Sequence, residues 1–116
     1  MIQTADELVA FRAAANNRAG ELKDPQYALE RLFEVWANSS ESQRKRFDEA
    51  LATWVSSDDA LERFDAEAII GRFCRTALAP NLLALRERLN DSLEPGAPYE
   101  KAKINRLLEK LSGEQV

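Results

Sequence analysis

The chain has 116 residues, of which 45% are hydrophobic and 31% are charged, with 20 Asp and Glu residues against 16 Lys and Arg residues. This length and composition predict a single folded domain over residues 1–116, and the formal charge of -4 disfavours nonspecific binding to nucleic acid or anionic membranes. The sequence has no histidine and one cysteine, which excludes Ser-His-Asp and Cys-His catalysis, histidine-containing zinc sites and disulfide scaffolds.

Two amphipathic helices are predicted in the first 40 residues. Thr4 and Glu7 have the spacing of a capping box and begin the first helix, which ends near Gly20. An Asp-Pro pair at 24–25 supplies the N-cap and the first residue of the second helix, which ends at Asn38. Apolar residues recur at three- and four-residue intervals in both segments, which predicts one buried face on each helix.

The third and fourth helices occupy the middle of the chain. Ser40 and Gln43 form a second capping box and begin the third helix, which stops at the serine pair 56–57. The second of these serines or Asp58 caps the fourth helix. Apolar positions of this helix extend over 61–77 and cover much of its circumference, so we expect it to be the most buried helix.

Two further helices follow, and no segment alternates long enough to predict a strand. Pro80 lies in the first turn of the fifth helix, whose leucine stripe extends from Leu78 to Leu93. The Pro-Gly-Ala-Pro segment 95–98 separates it from the sixth helix, which ends at Gly113. The sequence therefore predicts an all-α protein of about six helices.

Residues 62–91, which cover the fourth and fifth helices, combine small residues inside one helix with a proline that begins the next. The matching positions are Arg63, Ala66, Ala68, Gly71, Pro80, Leu82 and Leu85. We expect a neighbouring helix to approach at the small pair Ala68 and Gly71, because small residues allow close helix packing. This segment resembles one HEAT-type repeat of about 40 residues, and the resemblance implies stacked antiparallel helical hairpins. A compact six-helix bundle is the alternative architecture.

Five of the ten residues from 58 to 67 are acidic, and the only basic one is Arg63. Asp58, Glu62 and Asp65 have the spacing of one helix face. Catalytic metal sites draw their ligands from several elements, whereas acidic residues are favoured in the first turn of any helix. We interpret this cluster as a solvated face that can bind a partner, with no catalytic residue and no metal.

The other candidate chemistry is interpreted as structural. Cys74 follows an apolar residue on the most hydrophobic helix, which predicts a buried core thiol. The basic run at 44–46 has acidic neighbours, so no nucleic-acid binding is expected. The glycines lack phosphate-loop or dinucleotide spacing, so no cofactor is expected. Without a signal segment or an apolar run of membrane-spanning length, we expect a cytoplasmic protein that does not bind membranes.

These exclusions leave a protein-binding domain as the expected function. Small acidic helical domains without catalytic residues are similar to the immunity proteins that bacteria make against their own toxin effectors. That similarity implies a monomer whose acidic side chains complement a basic toxin domain and block its activity. The alternative is a scaffold or adaptor subunit of a protein complex. The residues expected to contact the partner are Asp48, Glu49, Asp58, Asp59, Glu62, Asp65, Glu87 and Asp91.

Overall fold

A computed structural model describes residues 2–113, and these residues form six α-helices and no strand. The prediction of an all-α fold is confirmed. The helices are α1 (Ala5–Leu22), α2 (Tyr27–Ala37), α3 (Glu41–Val55), α4 (Ala60–Phe73), α5 (Ala79–Asn90) and α6 (Ala97–Gly113), with a 3₁₀ turn at Thr76–Leu78. Contacts between residues group the chain into an N-terminal unit, Met1–Ala50, and a C-terminal unit, Leu51–Val116.

Both predicted capping boxes are present. The Glu7 N–H donates to Thr4 Oγ1 over 3.1 Å, and the Thr4 N–H donates to Glu7 Oε1 over 3.1 Å. The Gln43 N–H donates to Ser40 Oγ over 3.2 Å, and the Ser40 N–H donates to Gln43 Oε1 over 2.8 Å. These bonds satisfy N–H groups that have no partner within the first helical turn, which explains why α1 and α3 begin where the sequence predicts.

The boundaries between α1 and α2 differ from the prediction. Instead of ending near Gly20, α1 continues until Lys23 adopts a left-handed conformation with φ 56°. The Asp-Pro pair does not begin α2, because Asp24 Oδ1 accepts the Gln26 N–H over 3.0 Å and forms a turn before the helix. As a result, α2 begins at Tyr27, two residues later than predicted.

In the N-terminal unit, α1 packs against α2, and the buried side chains include Leu8, Leu32 and Trp36. The Trp36 and Phe47 rings meet edge to face, with centroids 5.2 Å apart and an interplanar angle of 61°. The Arg44 guanidinium donates to the Trp36 carbonyl through Nη2 at 2.6 Å and Nε at 3.0 Å. Arg44, part of the basic run, therefore caps the C-terminal end of α2.

In the C-terminal unit, α6 packs against both α4 and α5. At Gly71 α6 closely approaches α4, because a Cβ atom there would lie 2.8 Å from Leu107 Cδ2. Lys110 Nζ donates to the Gly71 carbonyl over 2.6 Å, which satisfies an acceptor in the last turn of α4. The prediction that a neighbouring helix approaches at Gly71 is confirmed. Stacking of hairpins as in HEAT repeats stays a prediction.

We expect Gly71→Val to lower the free energy of unfolding by about 1–3 kcal/mol, because its methyl groups would overpack the contact with Leu107. Gly71→Ala is the matched control and should change stability much less. Its single methyl group requires only the end of the half-buried Leu107 side chain to move, and alanine favours the helix by about 1 kcal/mol. Urea unfolding of the three proteins measures the difference, and equal stabilities for the Val and Ala variants would contradict close packing.

The end of α4 corrects two predictions. The helix was expected to continue to Ala77, but it ends at Phe73, and Cys74 adopts a left-handed conformation with φ 51°. This conformation removes the Cys74 side chain from the apolar stripe of the helix. Cys74 is half-buried rather than enclosed, so the prediction of a core thiol is wrong.

Candidate protein-binding surface

The beginning of α4 is set by a residue next to the predicted caps. Asp59 Oδ1 accepts the Leu61 N–H over 2.9 Å, and the Asp59 N–H donates to Ser57 Oγ over 3.0 Å. The N-cap is therefore Asp59 rather than Ser57 or Asp58. Because the Asp59 carboxylate holds the helix start, Asp58 is the better residue for testing the charge of this surface without disturbing the helix.

Two arginines bring the start of α4 next to the C-terminal end of α5. Arg88 donates from Nη1 to the Ser56 carbonyl and from Nη2 to the Ser57 carbonyl, both over 2.9 Å. Arg63 Nη1 donates to the same Ser57 carbonyl over 3.0 Å. The loop at 56–57 is thus held from α4 and from α5, which places the start of α4 near the end of α5.

A buried ion pair adds the start of α6 to this end. Arg63 Nε lies 2.9 Å from Glu100 Oε2, and Arg63 Nη2 lies 3.0 Å from Glu100 Oε1. The two side chains are 3% and 4% exposed. Arg63 Nη2 is also 3.7 Å from Glu94 Oε2, in the connection between α5 and α6. No local pattern in the sequence indicates this pair, because its members are 37 residues apart.

We call the carboxylates around these arginines the acidic end. They are Asp58, Asp59, Glu62, Asp91 and Glu94. Four of them are among the residues predicted to contact a partner, and Glu94 is not among the predicted residues. Asp58, Asp59, Asp91 and Glu94 are exposed, whereas Glu62 is half-buried.

The other predicted contact residues lie elsewhere. Glu87 is exposed and precedes Arg88 on α5, and Asp65 is half-buried one turn further along α4. Asp48 and Glu49 belong to the N-terminal unit. The acidic end therefore contains half of the eight residues expected to contact a partner.

Large apolar side chains are exposed beside the acidic end. Leu61 on α4 is 68% exposed, Leu93 in the connection after α5 is 99% exposed, and Tyr99 on α6 is 81% exposed. The predicted leucine stripe of α5 is wrong at Leu93, because the helix ends at Asn90 and its buried face ends with it. Each of these side chains is next to a glutamate in the sequence, Glu62, Glu94 or Glu100, and grouped exposed apolar side chains are typical of a surface that another molecule covers.

Glu67 departs from the prediction of a solvated acidic face, because its side chain is fully buried. Lys103 Nζ lies 3.2 Å from Glu67 Oε1, yet neither oxygen of Glu67 accepts a hydrogen bond from residues 2–113. Burial and the adjacent Glu100 carboxyl raise the pKa of Glu67 to about 8, although Lys103 opposes the shift. A protonated Glu67 can donate its O–H to Glu100.

The pKa of Glu100 is shifted in the opposite direction. Burial works to raise the pKa of Glu100, but hydrogen bonds from Arg63 and Glu67 outweigh it and hold that pKa below its ordinary value. The two carboxyl groups are therefore unequal, with Glu67 favouring its proton and Glu100 favouring its charge. Both side chains are buried beneath the acidic end, so we interpret this pair as structural.

Within residues 2–113, no three Cys, His, Asp or Glu side chains are grouped closely enough to hold a metal ion. None of the helices formed by these residues has the length and apolar character needed to cross a bilayer. Comparison of the chain with protein-family models, curated proteins and solved structures found no match.

Proposed function

We propose that this chain is a protein-binding domain whose acidic end contacts a basic protein, and that it is an immunity protein that neutralises a bacterial toxin effector. The observation that carries the proposal is that Leu61, Leu93 and Tyr99 are exposed on or next to the segments that carry the carboxylates of the acidic end. Protein interfaces combine an apolar centre with a polar rim, and aromatic residues are enriched in them.

Charge and apolar surface would contribute to different steps of inhibition. The carboxylates of the acidic end attract a basic partner over several ångströms and increase the rate of association. The apolar side chains then lose contact with water in the complex, which slows dissociation. A domain bound in this way would neutralise a toxin by covering its active site or the path of its substrate.

A scaffold or adaptor subunit is the second candidate, and the exposure of Leu61 and Leu93 favours it as well. Subunits of permanent complexes keep larger apolar interfaces than inhibitors that exist free in solution. The two functions differ in what the partner does. An inhibitor should bind one toxic protein, whereas an adaptor should be recovered with several subunits of one assembly.

The experiment that tests the proposal is affinity capture with the tagged chain from lysate of its native cells. Bound proteins are identified by mass spectrometry and then expressed with and without this chain. A stoichiometric basic partner that arrests growth only when expressed alone would support an immunity protein. Recovery of a multi-subunit assembly would favour the adaptor, and a nontoxic single partner would contradict inhibition.

We expect Asp58→Lys combined with Asp91→Lys to slow association with that partner at least about tenfold at low salt, because both exposed carboxylates lie at the acidic end. Stopped-flow measurements at increasing salt would also show a weaker salt dependence. Glu21→Lys with Glu109→Lys is the matched control, because it changes the net charge equally at exposed positions near the ends of α1 and α6. Equal slowing by both pairs would mean that total charge matters and the acidic end does not.

A further inference from the structure

We infer that a continuous strip formed by Leu61, Phe64, Lys103 and Tyr99 is the contact surface for a partner segment that carries both apolar and Lys or Arg side chains. We call it the α4–α6 strip. The inference rests on the proposed function and deepens it, because it names the surface beside the acidic end that supplies the apolar contacts.

Helical spacing and one contact between helices make the strip continuous. Leu61 and Phe64 are three residues apart on α4, and Tyr99 and Lys103 are four residues apart on α6, so each pair shares one helix face. Lys103 Nζ lies 5.0 Å from the centroid of the Phe64 ring, which joins the two faces. Both helices belong to the C-terminal unit and pack against each other.

Lys103 contributes its methylene groups to this strip. Its ammonium group points inward, where it lies 3.2 Å from Oε1 of the fully buried Glu67. Its side chain is 38% exposed. A lysine whose charged end is directed to a buried carboxyl presents its methylene groups to the surface. An approaching cation therefore meets the hydrocarbon stem of Lys103 and the carboxylates of the acidic end.

The charge around the strip selects a basic partner over a second copy of this chain. A symmetric dimer would bring the strip against itself and place Asp58, Asp59 and Glu94 near the same carboxylates of the other copy. Like charges brought together at an interface are destabilising. A Lys- or Arg-bearing segment places cations opposite these carboxylates while its apolar residues cover Leu61 and Tyr99.

The test uses the full ¹⁵N-labelled chain and a synthetic amphipathic peptide of about 15 residues, roughly four helical turns. The peptide has leucines on one helical face and lysines on the other, and a matched peptide has glutamates in place of the lysines. We expect the lysine peptide to shift backbone amide signals of residues 58–64, of the non-proline residues between 93 and 99, and of residue 103. The glutamate peptide should shift none of them, and about 0.5 M salt should weaken the binding.

Two double variants distinguish binding at the strip from nonspecific hydrophobic binding. Leu61→Ser with Tyr99→Ser should weaken binding of the lysine peptide about tenfold, as expected for anchoring side chains. Val9→Ser with Leu83→Ser is the control, because it removes two exposed apolar side chains from α1 and α5 and should leave the affinity unchanged. All four positions are exposed, and the amide spectrum of each variant reports whether it is folded.

Four results would overturn the inference. Shifts confined to other residues, or absence of binding, would exclude the strip but leave the captured toxin as a separate test of the proposed function. Equal binding of the glutamate peptide would exclude the preference for cations. A dimer of the chain in sedimentation that Leu61→Ser with Tyr99→Ser abolishes would make a second copy the occupant.

Discussion

Raising the pH from about 5 to 8 is expected to lower the free energy of unfolding, and Glu67→Gln is expected to remove most of that decrease. In the folded chain the buried Glu67 has a pKa of about 8, whereas the exposed carboxyl of the unfolded chain has its ordinary value of 4.5. Between these values the folded chain keeps a proton that the unfolded chain has lost. Stability therefore falls as pH rises, by up to roughly 1.4 kcal/mol per pH unit.

Glu100 makes stability depend on pH in the opposite direction. Its pKa in the folded chain lies below its ordinary value of 4.5, so its stabilising effect is complete above that pH and is lost as the pH falls through the lower pKa. Considered together, the two groups predict a maximum of stability near the ordinary pKa of a glutamate. Glu67→Gln should flatten only the alkaline side of this profile.

Urea unfolding followed by far-UV circular dichroism at several pH values between about 5 and 8 measures this effect. Glu109→Gln is the control, because it makes the same chemical change at an exposed position on α6. If the Glu67→Gln protein loses as much stability as the unchanged chain over this range, the pH dependence comes from other groups.

The second large effect is expected from breaking the ion pair beneath the acidic end. Arg63→Met should lower the free energy of unfolding by about 3–5 kcal/mol, because the buried Glu100 carboxylate would lose both hydrogen bonds to the guanidinium. Glu67 would also lose a nearby cation that favours its charged form. The loop carbonyl of Ser57 would lose one of its two arginine donors.

Two comparisons show whether the pairing itself is responsible. Arg63→Met with Glu100→Leu removes both charges and should recover part of the stability that Arg63→Met loses, because no unpaired carboxylate then remains at position 100. Arg88→Met is the control, since Arg88 also donates to the Ser57 carbonyl but is exposed and should cost about 1 kcal/mol. A loss from Arg63→Met no greater than that from Arg88→Met would contradict this account.

The Arg63 pair also links stability to the proposed function. It holds the start of α4 near the start of α6, and through Glu94 it holds the connection that carries Leu93. A partner that contacts both the carboxylates and the apolar side chains needs these segments in a fixed arrangement. Preorganised surfaces bind more tightly because less conformational freedom is lost on association.

Local patterns in the sequence were sufficient for the helical architecture. Thr4 with Glu7 and Ser40 with Gln43 mark helix starts correctly, because a capping box needs only residues three positions apart. The small residue at Gly71 also indicated where another helix comes close. Local patterns did not show which residue caps α4, because Ser57, Asp58 and Asp59 can each accept a backbone N–H. The geometry of the turn selects Asp59.

The candidate site was only partly predictable, because it depends on contacts between residues far apart in the chain. Acidic residues near Asp58 were evident from composition, but the proximity of Asp91 and Glu94 depends on Arg63 and Arg88, which contact residues 31 to 37 positions away. The apolar pattern of α4 covers most of its circumference, so it did not show that Leu61 and Phe64 face outward while Glu67 faces inward.

By itself, the sequence determined the helical class, the approximate position of each helix and the absence of histidine chemistry, because these follow from composition and from interactions within a few residues. Tertiary structure alone decided that Glu67 is buried, that Cys74 is not enclosed, and that Leu61, Leu93 and Tyr99 are exposed. Burial depends on which faces of α4, α5 and α6 meet. Contacts between residues far apart in the chain determine which faces meet. One of these contacts buries the Glu67 carboxyl, whose burial costs less free energy when the group keeps its proton.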